Sequence, residues 1–293
     1  MQNIPNFIPE SELILNPDGS IYHLHLLPQQ LCDTIITVGD PDRVQEVSKH
    51  FDVVETKIQK REFVSHIGRL NQKPVMVIST GIGTDNIDIC LNELDALANI
   101  NFDTRQANPQ HRKLNFIRIG TSGCLDPNLS LDTHLASRFG VGLEGLLLFY
   151  KREMKAEESS LLADLQSFAQ TYNIQLPIQP AVAAAGENLW KQFADFQQGI
   201  TLTATGFYAP QARQLRAKSL FRNALDHFNQ FQHGEYRVSN FEMETAGIYG
   251  LANLLGHEAI SLNALVANRA NGTFSKNPQQ AVESLIIKVL ERL

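Results

Sequence analysis

The chain has 293 residues, enough to bury a large core as one large α/β domain or two smaller ones. Its 25 lysines and arginines stand against 31 acidic residues, and the net charge of −6 excludes a general attraction to nucleic acid or to an anionic membrane surface. The first residues lack a basic, continuously apolar leader, and no run approaches the ~20 apolar residues of a membrane span. We therefore expect a cytoplasmic protein with small-molecule partners, reduced cysteines and no metal site.

Residues 1–20 are rich in Pro, Asn and Glu and are predicted to form a loosely ordered N-terminal extension. No linker or repeat divides residues 21–293, which we interpret as one domain. Strand and helix patterns alternate, which predicts a single-domain three-layer α/β/α sandwich with a mixed, partly barrel-like central sheet. Strands are predicted near 34–38, 63–67, 75–79, 115–119, 133–139, 201–205 and 259–267, and helices near 42–50, 86–99, 159–172, 211–231, 243–255 and 278–292.

The first strand is followed by a segment with the features of an anion-binding helix start. Gly39 can expose its backbone N–H, Asp40 can cap the helix and Pro41 suits its first turn. Arg43 then projects beside the positive end of the helix dipole. An ordinary capped helix with no ligand explains the same residues. The segment Thr80–Thr84 repeats this design after the strand at 75–79.

An arginine lies within the apolar strand predicted at 115–119. Arg118 offers a planar charged fork suited to phosphate, and the following residues 120–123 are predicted to form a turn at the carboxyl end of the strand. That turn would supply free N–H groups and the hydroxyls of Thr121 and Ser122. In open α/β sheets ligands bind at this edge. The alternative is that Arg118 pairs with a buried carboxylate.

A later strand, at 201–205, precedes residues suited to a planar polar ring. Phe207 offers a flat apolar face, Gln211 can both donate and accept hydrogen bonds, and Arg213 only donates. This set matches a ring that carries adjacent carbonyl and N–H groups. An amphipathic helix start with exposed Gln and Arg is the alternative.

Two acids precede the apolar helix predicted at 243–255. Glu242 and Glu244 would stabilise the start of a helix whatever the function. A carboxylate next to a buried helix is nevertheless costly without a partner, and a sugar diol is a natural bidentate partner. Structure and function therefore explain these acids equally well.

Taken together, several segments resemble the nucleoside phosphorylases of the hexameric type, and most closely the members that act on uridine. The resemblance spans about residues 22–270 in family order. The segments that carry it are Gly39-Asp40-Pro41-Asp42-Arg43-Val44, Arg61-Glu62-Phe63, Ser79-Thr80-Gly81-Ile82-Gly83, Arg118-Ile119-Gly120-Thr121-Ser122-Gly123, Phe207-Tyr208 with Gln211 and Arg213, and Glu242-Met243-Glu244.

The resemblance implies a role for each matching residue, and it implies that neighbouring subunits share active sites. Arg118, Thr121, Gln211 and Arg213 would be the catalytic residues, with Arg61 and His23 reaching the site of the other subunit. Phosphate would be bound by Gly39, Arg43, Arg61, Arg118 and Thr121, ribose by His23, Glu242, Met243 and Glu244, and the base by Phe207, Gln211, Arg213 and Arg269.

The implied reaction is phosphorolysis of a pyrimidine nucleoside such as uridine to the free base and ribose 1-phosphate, in nucleoside catabolism and pyrimidine salvage. The implied assembly is a homo-oligomer built from dimers, up to a hexamer. Inorganic phosphate is a co-substrate and no cofactor is expected, although the resemblance leaves open a monovalent cation near Glu62.

Four alternatives stay open at this level. A purine phosphorylase of this family would place an Asp where Asn268 stands, and Asn cannot act as an acid at neutral pH. A hydrolytic nucleosidase would not need three arginines for phosphate. Gly81-Ile82-Gly83 hints at a dinucleotide-dependent dehydrogenase, but Asn86 stands where that motif requires a third glycine. A nucleoside-binding protein without catalysis would keep the same residues.

Overall fold

The computed structural model describes residues 7–293, which form a 12-stranded mixed sheet with helices packed against it and a separate two-stranded sheet. The strands are β1 (Thr34–Val38), β2 (Val53–Lys60), β3 (Phe63–Leu70), β4 (Lys73–Ser79), β5 (Ile100–Asn101), β6 (Gln106–Ala107), β7 (Asn115–Cys124), β8 (His134–Gly142), β9 (Ala181–Ala184), β10 (Gln197–Thr203), β11 (Gln232–His233), β12 (Tyr236–Glu242), β13 (Glu258–Asn268) and β14 (Thr273–Phe274). The helices are α1 (Pro41–Ser48), α2 (Thr84–Asn99), α3 (Ala156–Thr171), α4 (Glu187–Gln192), α5 (Leu225–Phe228), α6 (Thr245–Leu254) and α7 (Pro278–Leu290).

The large sheet closes partly on itself. Its strand order is β11-β12-β10-β8-β13-β7-β1-β4-β3-β2, and β12 also pairs with β7, which joins five strands into a small ring. The closing contact is antiparallel and aligns Asn240 with Cys124 and Phe241 with Gly123. Parallel pairing of β1 with both β4 and β7 extends the sheet beyond the ring. The predicted fold, an α/β domain with a mixed and partly barrel-like sheet, is confirmed.

The helix predicted at 211–231 is wrong. This segment contains only 3-10 turns at Ala209–Gln211 and Arg222–Ala224, followed by the four-residue helix α5. Ala212 has a left-handed φ of 57°, which interrupts a right-handed helix. Leu215 and Leu220 are exposed, and the large buried apolar residues of this segment, such as Phe228 and Phe231, are confined to its end, so no continuous apolar helix face runs along it.

Two long strands were missed because their residues do not follow an apolar pattern. Along β2 every second residue is exposed, and its charged side chains hide the strand signal. In β12 the polar residues Ser239, Asn240 and Glu242 are all buried. Polar residues of this kind are typical of loops, so the sequence pattern predicts no strand here.

The turn predicted at 120–123 is also wrong, because β7 runs without interruption from Asn115 to Cys124. Its partner β13 continues alongside as far as Asn268, which pairs with Cys124. The backbone of residues 120–123 is therefore part of the sheet ladder. Side chains, not free N–H groups, are what this segment offers to a ligand.

The described part of the N-terminal extension packs against the domain. The guanidinium of Arg105 donates hydrogen bonds to the backbone oxygens of Ile8, Pro9 and Leu13. The side chain of Leu13 is buried in the main core. The expectation of loose order is thus wrong for this part, whereas residues 1–6 lie outside the described residues and the domain division at residue 20 stays a prediction.

The described residues also bear on the expected chemistry of the cysteines. Cys32, Cys90 and Cys124 are buried and unpaired. Burial raises the pKa of the Cys32 and Cys124 thiols to about 11, so both stay protonated at neutral pH.

Within residues 7–293 no helix has the length and apolar character needed to cross a membrane.

Candidate active site

A cavity of about 640 Å³ lies at the carboxyl ends of β1, β4 and β7, where the strand ring closes. Its walls come from separate parts of the chain, including the loops after β1 and β4, strand β7 and the segment around Phe207. Of the predicted site residues, it brings together Gly39, Arg43, Arg118, Thr121, Phe207, Gln211, Arg213, Glu242, Met243 and Glu244. His23, Arg61 and Arg269 do not line it.

The loop after β1 has the predicted helix start. The Asp40 carboxylate accepts the N–H of Asp42 at 3.0 Å, and Pro41 occupies the first turn of α1. Arg43 is half-buried, and its Nε is buried with no hydrogen-bond partner among residues 7–293. Burial lowers the pKa of Arg43, although such a group stays charged at neutral pH. A buried charge with an unused donor is suited to an anionic ligand.

Arg118 is 6% exposed and is held at both terminal nitrogens. Its Nη2 donates to Glu244 at 2.5 Å and lies 3.2 Å from Glu242. Its Nη1 donates to the amide oxygen of Asn263 at 2.8 Å. Burial acts to lower the pKa of Arg118, but Glu242 and Glu244 outweigh it and raise the pKa. The alternative stated from sequence, pairing with a buried carboxylate, is therefore observed, while the side chain also lines the cavity.

The two acids have different partners. Glu242 accepts the hydroxyl of Thr203 at 2.7 Å and the backbone N–H groups of Glu244 and Thr245, so it fixes the start of α6. Glu244 accepts the N–H of Gly83 at 2.8 Å in addition to Arg118. Burial raises the pKa of the Glu244 carboxyl, and Arg118 opposes that shift. Glu242 thus supports the loop, whereas Glu244 pairs with Arg118 at the wall of the cavity.

The other end of the cavity combines an aromatic ring with an amide and a guanidinium. Arg213 lies over the ring of Phe207 at 3.7 Å and donates to Gln211 Oε1 at 2.5 Å. Arg269 lies behind Gly123, where a side-chain Cβ would come within 2.9 Å of it and 3.4 Å of Arg213. Burial and the neighbouring Arg213 lower the pKa of Arg269 to about 10. Its contact with the base stays a prediction, because it does not line the cavity.

His23 and Arg61 lie together in a surface cluster around Tyr22. The ring of Tyr22 packs edge-on against that of His23 at 4.7 Å and lies 5.9 Å from the guanidinium of Arg61. The Nδ1 of His23 is 2.6 Å from Glu93. Neither residue lines the cavity of its own chain, which is the arrangement required if both serve a neighbouring subunit.

Sequence reasoning missed residues that hold these groups in place. Asn263 binds Arg118, Thr203 binds Glu242, and the amide of Asn240 binds Ser122 at 2.8 Å. All of them are buried polar residues in strands. A polar side chain in the middle of an apolar strand was the available signal, and it is clearest for Asn263 between Leu262 and Ala264.

Two groups could be considered for a cation. Glu62 and Asn86 line the cavity beside Gly81, but one carboxylate and one amide are fewer oxygen donors than a hard cation takes. The cation near Glu62 therefore stays a prediction and would need further donors.

A second group, with Asp95, His111 and His257, has side-chain donor atoms within 4.8 Å of one another. His257 accepts the N–H of Leu114 at Nδ1, so its Nε2 carries the proton that contacts Asp95 at 3.1 Å. Because that nitrogen is not free to bind a metal, we interpret this cluster as structural.

A cationic end with Arg43 and Arg118, a central carboxylate and an end suited to a planar base together suit a phosphate-dependent reaction of a nucleoside-like molecule. The Phosphorylase superfamily model matches residues 33–293, and the chain belongs to this superfamily. A uridine phosphorylase of Thermococcus kodakarensis is 31% identical over 279 residues, covering 93% of this chain and 87% of that protein. One of Haemophilus influenzae is 26% identical over 283 residues, covering 94% and 99%. A solved nucleoside phosphorylase of Trypanosoma brucei, described as showing uridine phosphorylase activity, matches with a TM-score of 0.85 and 26% identity over 96% of this chain and 99% of that one.

Gly120 provides a test of the Arg118 arrangement. A Cβ at this position would lie 2.0 Å from Arg118 Nη1, so Gly120→Ala must displace the guanidinium from Asn263 and Glu244. We expect at least a tenfold loss of phosphate affinity, because the displaced guanidinium could no longer donate charge-assisted hydrogen bonds to phosphate. Isothermal titration with inorganic phosphate measures it, and thermal unfolding controls for the fold. A folded variant with the affinity of the unmodified protein would contradict the assignment.

Proposed function

We propose that this protein catalyses phosphorolysis of uridine by inorganic phosphate, giving uracil and ribose 1-phosphate. The observation that carries the proposal is that one cavity joins Arg43 and Arg118 to Glu244 and to the Gln211–Arg213 pair. The uridine phosphorylases among its relatives support the same reaction. Phosphate is a co-substrate in this proposal, and no cofactor is needed.

The phosphate end must hold a dianion on one face of the sugar. Arg43 has an unused buried donor, and Gly39, in the loop before α1, lines the same cavity. Arg118 contributes a second guanidinium, and Thr121 adds a hydroxyl on the cavity wall. Held there, a phosphate oxygen is positioned to attack C1′ of the nucleoside, which makes the step effectively intramolecular.

The sugar and base ends account for bond cleavage. Glu244, with Met243 beside it, would hold the ribose hydroxyls while the C1′–N1 bond breaks and its electron pair moves to the base. Positive charge develops on the sugar and negative charge on the leaving uracil. Gln211 and Arg213 would donate hydrogen bonds to that developing negative charge, and Phe207 would pack on the ring.

Asn268 favours a pyrimidine over a purine substrate. Its amide nitrogen donates to the backbone oxygens of Asp126 and Leu129, both at 3.0 Å, and its oxygen accepts the N–H of Asn271. The side chain is 2% exposed and does not line the cavity. An amide committed to these structural bonds supplies no acid for a purine ring.

We propose further that the protein is a homo-oligomer built from dimers, up to a hexamer. This proposal rests on the cluster of His23 and Arg61. The cluster lies outside the cavity of its own chain, whereas the proposed reaction needs His23 at the ribose and Arg61 at the phosphate.

We also propose that the protein acts in the cytoplasm, in nucleoside catabolism and pyrimidine salvage. Its buried free thiols are consistent with a reducing compartment.

Release of uracil from uridine tests the proposed reaction. Purified protein is assayed with and without phosphate, with inosine in parallel. We expect uracil and ribose 1-phosphate only with phosphate, and little hypoxanthine. Equal release without phosphate would indicate a hydrolase, preference for inosine would indicate a purine enzyme, and absence of turnover would indicate a binding protein.

Arg118→Ala should lower kcat/KM for phosphate by at least about tenfold.

Mixed oligomers test the shared site. Arg61→Ala and Arg43→Ala should each abolish most activity, because each removes one guanidinium from every phosphate site. Co-expressed in equal amounts, the two variants form hybrid dimers in which one site keeps both arginines. We expect recovery of about a quarter of the unmodified activity. No recovery in hybrids verified by native mass spectrometry would place Arg61 in the site of its own chain.

A further inference from the structure

The start of helix α2 binds a carboxylate of the chain itself. From the sequence, Thr80–Thr84 has the design of an anion-binding helix start, and the proposed reaction assigns no role to it. In the structure the backbone N–H of Gly83, the residue just before α2, donates to Glu244 Oε1 at 2.8 Å. Glu244 therefore occupies the place that the sequence pattern assigns to an anion.

The backbone that aims this N–H suits only glycine. Gly83 has φ 97° and ψ 162°, a region that residues with a side chain rarely adopt. A Cβ at this position would also lie 2.8 Å from Asp85 Oδ1. Glu244 lines the cavity, whereas Gly83 does not. Gly83 can thus act on a ligand only through the carboxylate that it holds.

Two helix starts converge on the acids beside Arg118. Glu242 accepts N–H groups at the start of α6, and Glu244 accepts that of Gly83 at the start of α2. Gly247 of α6 lies so close to α2 that a Cβ there would come within 2.9 Å of it. The positive ends of both helix dipoles stabilise the ionised acids, whose burial is otherwise unfavourable.

The bonds of Glu244 leave part of its carboxylate free. An ionised carboxylate has about four acceptor positions. Gly83 uses one of them on Oε1, and Arg118 uses one on Oε2. About one position remains on each oxygen, which matches two neighbouring hydroxyl groups of a sugar. Because each oxygen has its own donor, the carboxylate is held from both sides.

We propose that Gly83 is a positioning residue for the ribose: its N–H holds Oε1 of Glu244 so that both carboxylate oxygens are presented to the sugar hydroxyls. This inference rests on the proposed phosphorolysis, in which Glu244 holds the ribose. A carboxylate held only by Arg118 could rotate about its side-chain bonds and lose its alignment with two hydroxyls. Gly83 thereby contributes to the selection of ribose over 2′-deoxyribose.

Gly83→Ala tests the role of the N–H. The substitution strains the backbone and brings the new Cβ against Asp85, so the N–H must move away from Glu244. We expect kcat/KM for uridine to fall about tenfold, because a charge-assisted hydrogen bond is lost. The loss on 2′-deoxyuridine should be at most about threefold, since one of the two hydroxyls is absent, and phosphate affinity should stay within about twofold.

Gly256→Ala is the matched control. Gly256 also has a left-handed φ, of 81°, and follows the other end of α6, about 18 Å along the helix from Glu244. We expect this variant to lose thermal stability, as Gly83→Ala does, and to keep the uridine to 2′-deoxyuridine ratio of the unmodified protein. A change in that ratio is therefore not explained by backbone strain alone.

Amide hydrogen exchange tests the contact without any turnover. The Gly83 amide, resolved by mass spectrometry with fragmentation of its peptide, should exchange at least about tenfold faster in Glu244→Ala than in the unmodified protein. The reason is that its N–H loses the acceptor. This measurement decides the question if Gly83→Ala does not fold.

Three outcomes would overturn the assignment. Unchanged kcat/KM for uridine in Gly83→Ala, equal losses on uridine and 2′-deoxyuridine, or unchanged exchange of the Gly83 amide in Glu244→Ala each contradict it. If the unmodified protein does not cleave uridine, the proposed reaction fails together with this inference. Normal cleavage by the unmodified protein with any of the three outcomes removes the inference alone.

Discussion

The buried guanidinium of Arg118 is the constraint on which the site depends. A charge removed from water must be matched, and here Glu244, Glu242 and Asn263 match it at both terminal nitrogens. Two carboxylates against one guanidinium leave this centre with no surplus positive charge for an incoming phosphate. In the proposed site, Arg43 and Arg61 of a neighbouring chain would supply the attraction, while Arg118 would align the anion next to Glu244.

The sheet explains how these groups come together. Pairing of β7 with β12 closes the strand ring and places Ser122 against Asn240 and Arg118 against Glu242. The bonds that Glu242 accepts from Glu244 and Thr245 fix the start of α6, so the positions of Met243 and Glu244 depend on them. A cavity built in this way has its polar groups oriented before any ligand arrives, which is the condition for electrostatic catalysis.

The sequence predicted which residues line one cavity better than it predicted the local structure around them. Arg118 and Glu244 were singled out because a charged residue in or beside an apolar run needs a partner, and Arg213 because its donors suit a planar polar ring. The turn at 120–123 was wrong because small residues such as Gly120 also occur in strands where a side chain must pass closely, here the Arg118 guanidinium. Asn240 and Asn263 were missed because their partners lie far away in sequence, and periodicity carries no information about long-range hydrogen bonds.

The central claim, that Glu244 partly neutralises Arg118, is tested most directly by phosphate binding to Glu244→Gln without nucleoside. Removing one negative charge beside the anion site should make phosphate bind about fivefold tighter or more, as a Coulomb interaction over a few ångströms in a buried site predicts. Glu283→Gln, which removes an acid from the Lys49 and His50 surface pair, controls for net charge. Unchanged or weaker phosphate binding in Glu244→Gln, measured by titration calorimetry, would contradict the account.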